Sequence, residues 1–160
     1  MHEEGSGRDG LIAGEIYGTV VYLTVVVLLE EDRASASDAI WILLVTAAVF
    51  WLAHVYAHIV PRLAAVGRLS RSVFTRTARE QLGILLAVVV PVVPMLLAAA
   101  GAFTTDVGYV VAVIAGLAAL GVWSLRIARS AGLSWGRAAG IAIVLVLAGS
   151  GLVLLELSVH

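Results

Sequence analysis

The sequence predicts an all-α integral membrane protein, a bundle of five transmembrane helices with a short cytoplasmic interfacial helix between spans two and three. Three observations predict it. Of the 160 residues, 61% are hydrophobic and only 13% are charged, whereas a soluble chain is about half apolar and about a quarter charged. The mean hydropathy of +1.05 points to lipid as the solvent. Five apolar runs, at residues 11–29, 39–60, 82–103, 107–125 and 138–155, approach the roughly 20 helical residues that cross a hydrocarbon core. They are too long for strands and lack the alternation of a lipid-facing barrel, so helices are the structure that satisfies their backbone groups internally. The chain reads as one membrane domain.

Span one is flanked by Glu3, Glu4 and Asp9 before it and Glu30, Glu31 and Asp32 after it. It therefore lacks the basic start and small-residue cleavage site of a secretory signal and reads as a permanent span. Glu15 is the one formal charge in the five runs. Span two begins after Asp38, a suitable N-cap, and the short turn at residues 30–38 predicts an antiparallel hairpin with span one. The stretch 61–80 opens on Pro61 and places Leu63, Val66, Leu69, Val73 and Phe74 near one helical face, with Arg68, Arg71, Arg76 and Arg79 towards the other. Such a pattern predicts an interfacial helix whose arginines meet anionic lipid headgroups or mark topology. Span three carries Pro91 and Pro94 near its middle, which removes the donors to the carbonyls of Ala87 and Val90 and predicts a kink. Thr104 or Thr105 can cap span four. Spans four and five carry small residues, Ala112, Ala115, Gly116 and Ala119 on the one and Gly140, Ala148, Gly149, Ser150 and Gly151 on the other, suited to close helix packing within or between copies.

The arginines set the orientation. All ten basic residues are arginine, and nine of them, including Arg8, the arginines of 61–80 and Arg126, Arg129 and Arg137, fall on one side of the spans. Arg33 is on the other, among the acids. The positive-inside rule makes the N-terminus cytoplasmic and the C-terminus extracytoplasmic. An arginine-only composition rich in alanine and valine suggests a bacterial source, hence a bacterial cytoplasmic membrane. With a net charge of −1 there is no basic field for nucleic acid. Cysteine is absent, which removes disulfides, thiolate metal sites and cysteine nucleophiles.

Chemistry is first sought where an ionisable group sits within a span, because desolvating it costs free energy. Glu15, His54 and His58 qualify. Glu15 and His54 are equidistant from the centre of the first hairpin turn, so they are expected at one depth, with His58 a turn nearer the cytoplasm on the same face as His54. Glu80, at the start of span three, is expected near that level. The leading expectation is a protein that moves or relays a proton or small cation through Glu15, His54, His58 and Glu80, since histidine titrates near neutral pH. A second is a non-catalytic membrane partner or scaffold subunit, or a homo-oligomer, acting through helix packing in the bilayer. A third is a metal-dependent membrane enzyme or sensor with a divalent metal on His54, His58 and Glu15, because histidines four apart can share one ion. The glutamate of a His-Glu-x-x-His protease helix is missing from the pair, and an enzyme is the less favoured class. Gly14 and Gly18 form a small-residue pair of the kind that lets helices approach closely.

Overall fold

The computed structural model describes residues 3–66 and 70–159, so Arg68 lies outside the described residues. Those residues form seven α-helices and no strand: α1 (Glu3–Glu31), α2 (Ala36–Val66), α3 (Arg71–Glu80), α4 (Leu82–Ala87), α5 (Val89–Ala99), α6 (Thr105–Ser130) and α7 (Trp135–Val159). Among the described residues, two stretches, Ala36–Pro61 and Thr105–Ser130, are long and apolar enough to cross a membrane, and the bent pair Arg71–Ala87 and Val89–Ala99 makes a third if taken as one span.

The helix ends follow from local chemistry. Ser35, and not Asp38, caps α2: its hydroxyl accepts the Asp38 N–H at 3.2 Å and donates to the Asp38 carboxylate at 2.6 Å. Asp38 sits three residues into the motif, as the acid of a capping box does. Thr104 caps α6 by accepting from the Val107 N–H. Helices α1, α5 and α6 end alike, with the paired carbonyl bonds of a Schellman turn around a left-handed residue: Arg33 at φ 52°, Gly101 at 80° and Gly132 at 77°.

Two boundaries depart from the sequence expectation. α2 does not end before Pro61 but runs through it to Val66, which shortens the separate interfacial helix to Arg71–Glu80. Pro61 is exposed there, so its missing N–H leaves an acceptor on the outside of the bundle and breaks no packing. The third apolar run is broken rather than merely kinked. The chain bends by 42° at Val88, three residues before Pro91. A helix restarting at Val89 puts Pro91 in its first turn, where an N–H has no intrahelical acceptor in any case. Pro94 then lies inside α5 without a second break.

α1 runs through the middle of the assembly and packs chiefly on α4 and α6, only lightly on α2; α2 lies on α5, and α7 sits at the edge on α6. The core joins Tyr22, Val26 and Leu29 of α1 to Ala39, Leu43 and Ala47 of α2, Ile84 and Ala87 of α4, Met95 of α5 and Tyr109 and Ala112 of α6. Gly14 and Gly18 make the close approach expected of them, but to α4: a Cβ on Gly18 would stand 2.9 Å from the Ala87 Cβ and 3.2 Å from the Ile84 oxygen. Gly116 of α6 is filled in the same sense by the Leu23 side chain. Outward faces remain apolar, with Trp41, Leu52, Tyr56, Ile114 and Val144 all exposed, the distribution expected where lipid is the solvent.

Candidate functional site

The site is built on the ends of α1 and α2 that carry the polar residues. His54 is half-buried and its Nδ1 lies 2.9 Å from the Phe50 carbonyl; His58, exposed, repeats the contact one turn on, with Nδ1 2.8 Å from the His54 carbonyl. A carbonyl oxygen can only accept, so in both rings Nδ1 carries the hydrogen and Nε2 is the basic nitrogen. Two imidazoles thus present like atoms one helical turn apart, each ring anchored to its own backbone.

The partner of His54 on α1 is Tyr17. Their rings lie 5.0 Å apart at 53°, and Tyr17 also meets Phe50 at 6.2 Å. Two residues advance a helix by about 200°, so the face of α1 that presents Tyr17 to α2 turns Glu15 away from it. The expected facing of Glu15 and His54 is therefore not what the structure holds. Equal depth does not fix azimuth, and α1 leans on α4 and α6 rather than on its hairpin neighbour. Glu15 is half-buried, and the cation whose charge acts on it is Arg126 of α6. Arg126 in turn stacks on Trp123, its guanidinium 5.1 Å from the ring centroid.

Glu80 is held within its own helix by Arg76, whose Nε donates to Oε1 at 2.9 Å, with the glutamate a quarter exposed. Arg71 and Arg79 are exposed on α3. This helix is tied to the histidine region by Trp51, whose Nε1 donates to the Ala78 carbonyl at 3.2 Å, and it buries Thr77 completely. Among the described residues, no three His, Asp or Glu side chains are grouped closely enough to hold a metal ion, and Glu15, His54 and His58 are not brought together as one ligand set.

Three residues here carry contacts that the sequence does not assign to them: Tyr17, Arg126 and Tyr22. The buried Tyr22 hydroxyl donates to the Ile84 carbonyl at 2.8 Å, next to the break in span three. There the Val88 N–H turns to Leu86, which leaves the Ile84 oxygen to take its hydrogen bond from α1. For Arg126 a signal existed. Glu15 lies near the arginine-rich end of span one and Arg126 just beyond that end of span four, and comparison across all helices, rather than within one hairpin, brings them to the same side. No protein-family model, curated protein or solved structure matches this chain.

Proposed function

We propose that this is a multi-pass protein of a bacterial cytoplasmic membrane, with five spans and its N-terminus cytoplasmic, that moves or relays a proton or small cation at the histidine-bearing end of α2. The observation that carries the reading is the pair of backbone-anchored imidazoles. With each Nδ1–H engaged by a carbonyl of the preceding turn, the Nε2 atoms of exposed His58 and half-buried His54 form an ordered step from solvent towards the bundle. Anchoring of one ring nitrogen is the usual means by which a protein fixes the tautomer and direction of the other. Glu15, on the opposite face of α1 and under the charge of Arg126, is the carboxylate of the neighbouring span, and Glu80 with Arg76 flanks the entrance on α3. The arginines of α3, Arg71, Arg76 and Arg79, face the cytoplasmic headgroups, with Arg68 assigned there from sequence alone.

A second reading, a non-catalytic membrane subunit, is favoured by one feature of α2. Trp41, Val45, Val49, Leu52 and Tyr56 are all exposed and recur at spacings of four, four, three and four, which aligns them as a seam along the helix of the kind that packs on a partner. One experiment separates the two. In liposomes carrying an internal pH dye, the wild type is expected to pass protons or a divalent cation, and His54→Gln to abolish the flux while helicity is unchanged. A wild type silent for protons and divalent cations ends the relay reading; if it also co-purifies with a stoichiometric membrane partner, the second reading takes its place.

A further inference from the structure

His54 and His58 are anchored alike and surrounded differently. Each Nδ1 donates to the carbonyl four residues back, at 2.9 Å and 2.8 Å. A single bond of this kind contributes little net where water competes for both partners. His58 is exposed, and among the described residues no aromatic ring lies against it. His54 is half-buried, and the Tyr17 ring of α1 stands 5.0 Å from it at 53°. Tyr17 is in turn braced on Phe50, 6.2 Å away at 54°, the residue whose carbonyl takes the His54 hydrogen. Both contacts are tilted and within the separation at which aromatic rings attract. Tyr17 is also poorly placed to retreat. Its neighbour Gly18 is seated on α4, where an added Cβ would stand 2.9 Å from the Ala87 Cβ, and Gly14, a turn earlier, is seated in the same way 3.3 Å from the Ile84 nitrogen. These approaches fix the rotation of α1, so the Tyr17 ring reaches α2 from a set position across a lightly packed helix pair.

We propose that Tyr17 is the positioning residue of the relay: its ring, braced on Phe50, keeps the His54 imidazole against its own backbone, so that Nδ1 stays the donor and Nε2 stays the nitrogen that takes the proton. The proposal rests on the relay reading given above. A ring that turned about its last side-chain bond would break the Nδ1 bond to Phe50 and let water reach either nitrogen. The hydrogen could then sit on Nε2, and the step from His58 would meet a donor in place of an acceptor. The contact is ring to ring, so the aromatic face and not the hydroxyl carries the role. His58, with the same backbone anchor and no such wall, is the internal control.

The test uses the full chain with isotope-labelled histidine in detergent micelles and, in parallel, in dye-loaded liposomes. At about pH 9, where imidazole is ordinarily neutral, nitrogen–proton NMR tells which ring nitrogen carries the hydrogen, and His54→Gln identifies the His54 signal. The wild type is expected to show His54 with its hydrogen on Nδ1. Tyr17→Leu should mix the two tautomers at His54, leave the His58 signal in place and lower proton flux about fivefold, the population change that one aromatic pair supports. Tyr17→Phe should keep both readouts at wild-type values. A His54 tautomer unchanged in Tyr17→Leu overturns the proposal, as does loss of flux in Tyr17→Phe, which would move the role to the hydroxyl. Equal changes at His54 and His58 overturn it too, because the variant then disturbs the helix as a whole. A wild type that passes no protons ends the relay reading and this role with it. With flux present, an unmoved tautomer ends the role of Tyr17 alone, so the two failures are told apart.

Discussion

α1 and α7 are both apolar helices that carry glycine, and the glycines have opposite surroundings. On α1, Gly14 and Gly18 lie against Gly83, Ile84 and Ala87 of α4, close enough that an added Cβ would stand 3.3 Å from the Ile84 nitrogen at Gly14 and 2.9 Å from the Ala87 Cβ at Gly18. On α7, Gly136, Gly140 and Gly151 meet no described atom within 4 Å. The sequence pattern alone treats the two stretches alike. What separates them is the partner: α4 answers with Gly83 and Ala87, small enough for backbone to reach backbone, whereas α7 sits at the bundle edge with that face unopposed. A small-residue pair in a membrane helix is a statement about two helices, and it acquires meaning only when the second is known.

The comparison is broken most forcefully at Gly18. In Gly18→Leu the new side chain must displace the Ile84 backbone and Ala87 Cβ, neither of which can rotate away. Overpacking of this kind costs about 3 kcal/mol or more, well above the helix-propensity gain of about 1 kcal/mol. The expected outcome is a variant that fails to give a cooperative thermal transition in detergent. A transition at the wild-type temperature would mean that α1 and α4 are not in close contact.

A smaller effect is expected at the hydroxyl that holds the same two helices. Tyr22→Phe keeps the buried ring but removes the donor to the Ile84 carbonyl. An unanswered buried carbonyl and a lost interhelical bond together cost about 1–2 kcal/mol. The bend offers an independent readout. With Ile84 released, the Val88 N–H can return to it, so the 42° angle should narrow. Spin labels on exposed Leu82 and Leu97 would report an increased separation. Unchanged stability together with an unchanged distance would show that the proline alone sets the break.

These contrasts also show why part of the molecule was legible and part was not. Length and hydropathy exposed the all-helical class and the approximate extents of the helices, because burial of apolar surface in lipid is a property of each segment by itself. Thr104 as a cap and the proline disturbance of span three were readable for the same reason. The Ser35 cap was missed by three residues since Ser35 and Asp38 satisfy one motif together. The passage of α2 through Pro61 was missed because an exposed proline in a long helix costs only local hydrogen bonding. At the candidate site, the pairing expected from sequence differs from the contacts the structure shows. Hairpin arithmetic puts Glu15 and His54 at one depth, yet the rotation of α1 about its axis is set by Gly14, Gly18 and Tyr22 on α4 and by Leu23 against Gly116 on α6. That rotation delivers Tyr17 to His54 and Glu15 to the field of Arg126. Azimuth is a tertiary property, and nothing in span one alone encodes it.

The smallest expected effect has the opposite sign and lies on α7. Gly140→Ala adds a methyl group where no described atom stands within 4 Å. The only term left is conformational: alanine restricts the unfolded chain and favours the helix by about 0.5–1 kcal/mol over glycine. The thermal midpoint should therefore rise by a few degrees. Should Gly140→Ala instead lose stability as Gly18→Leu does, that face of α7 is packed against another helix in the membrane. The difference between α1 and α7 would then lie in which copy supplies the partner, not in whether there is one.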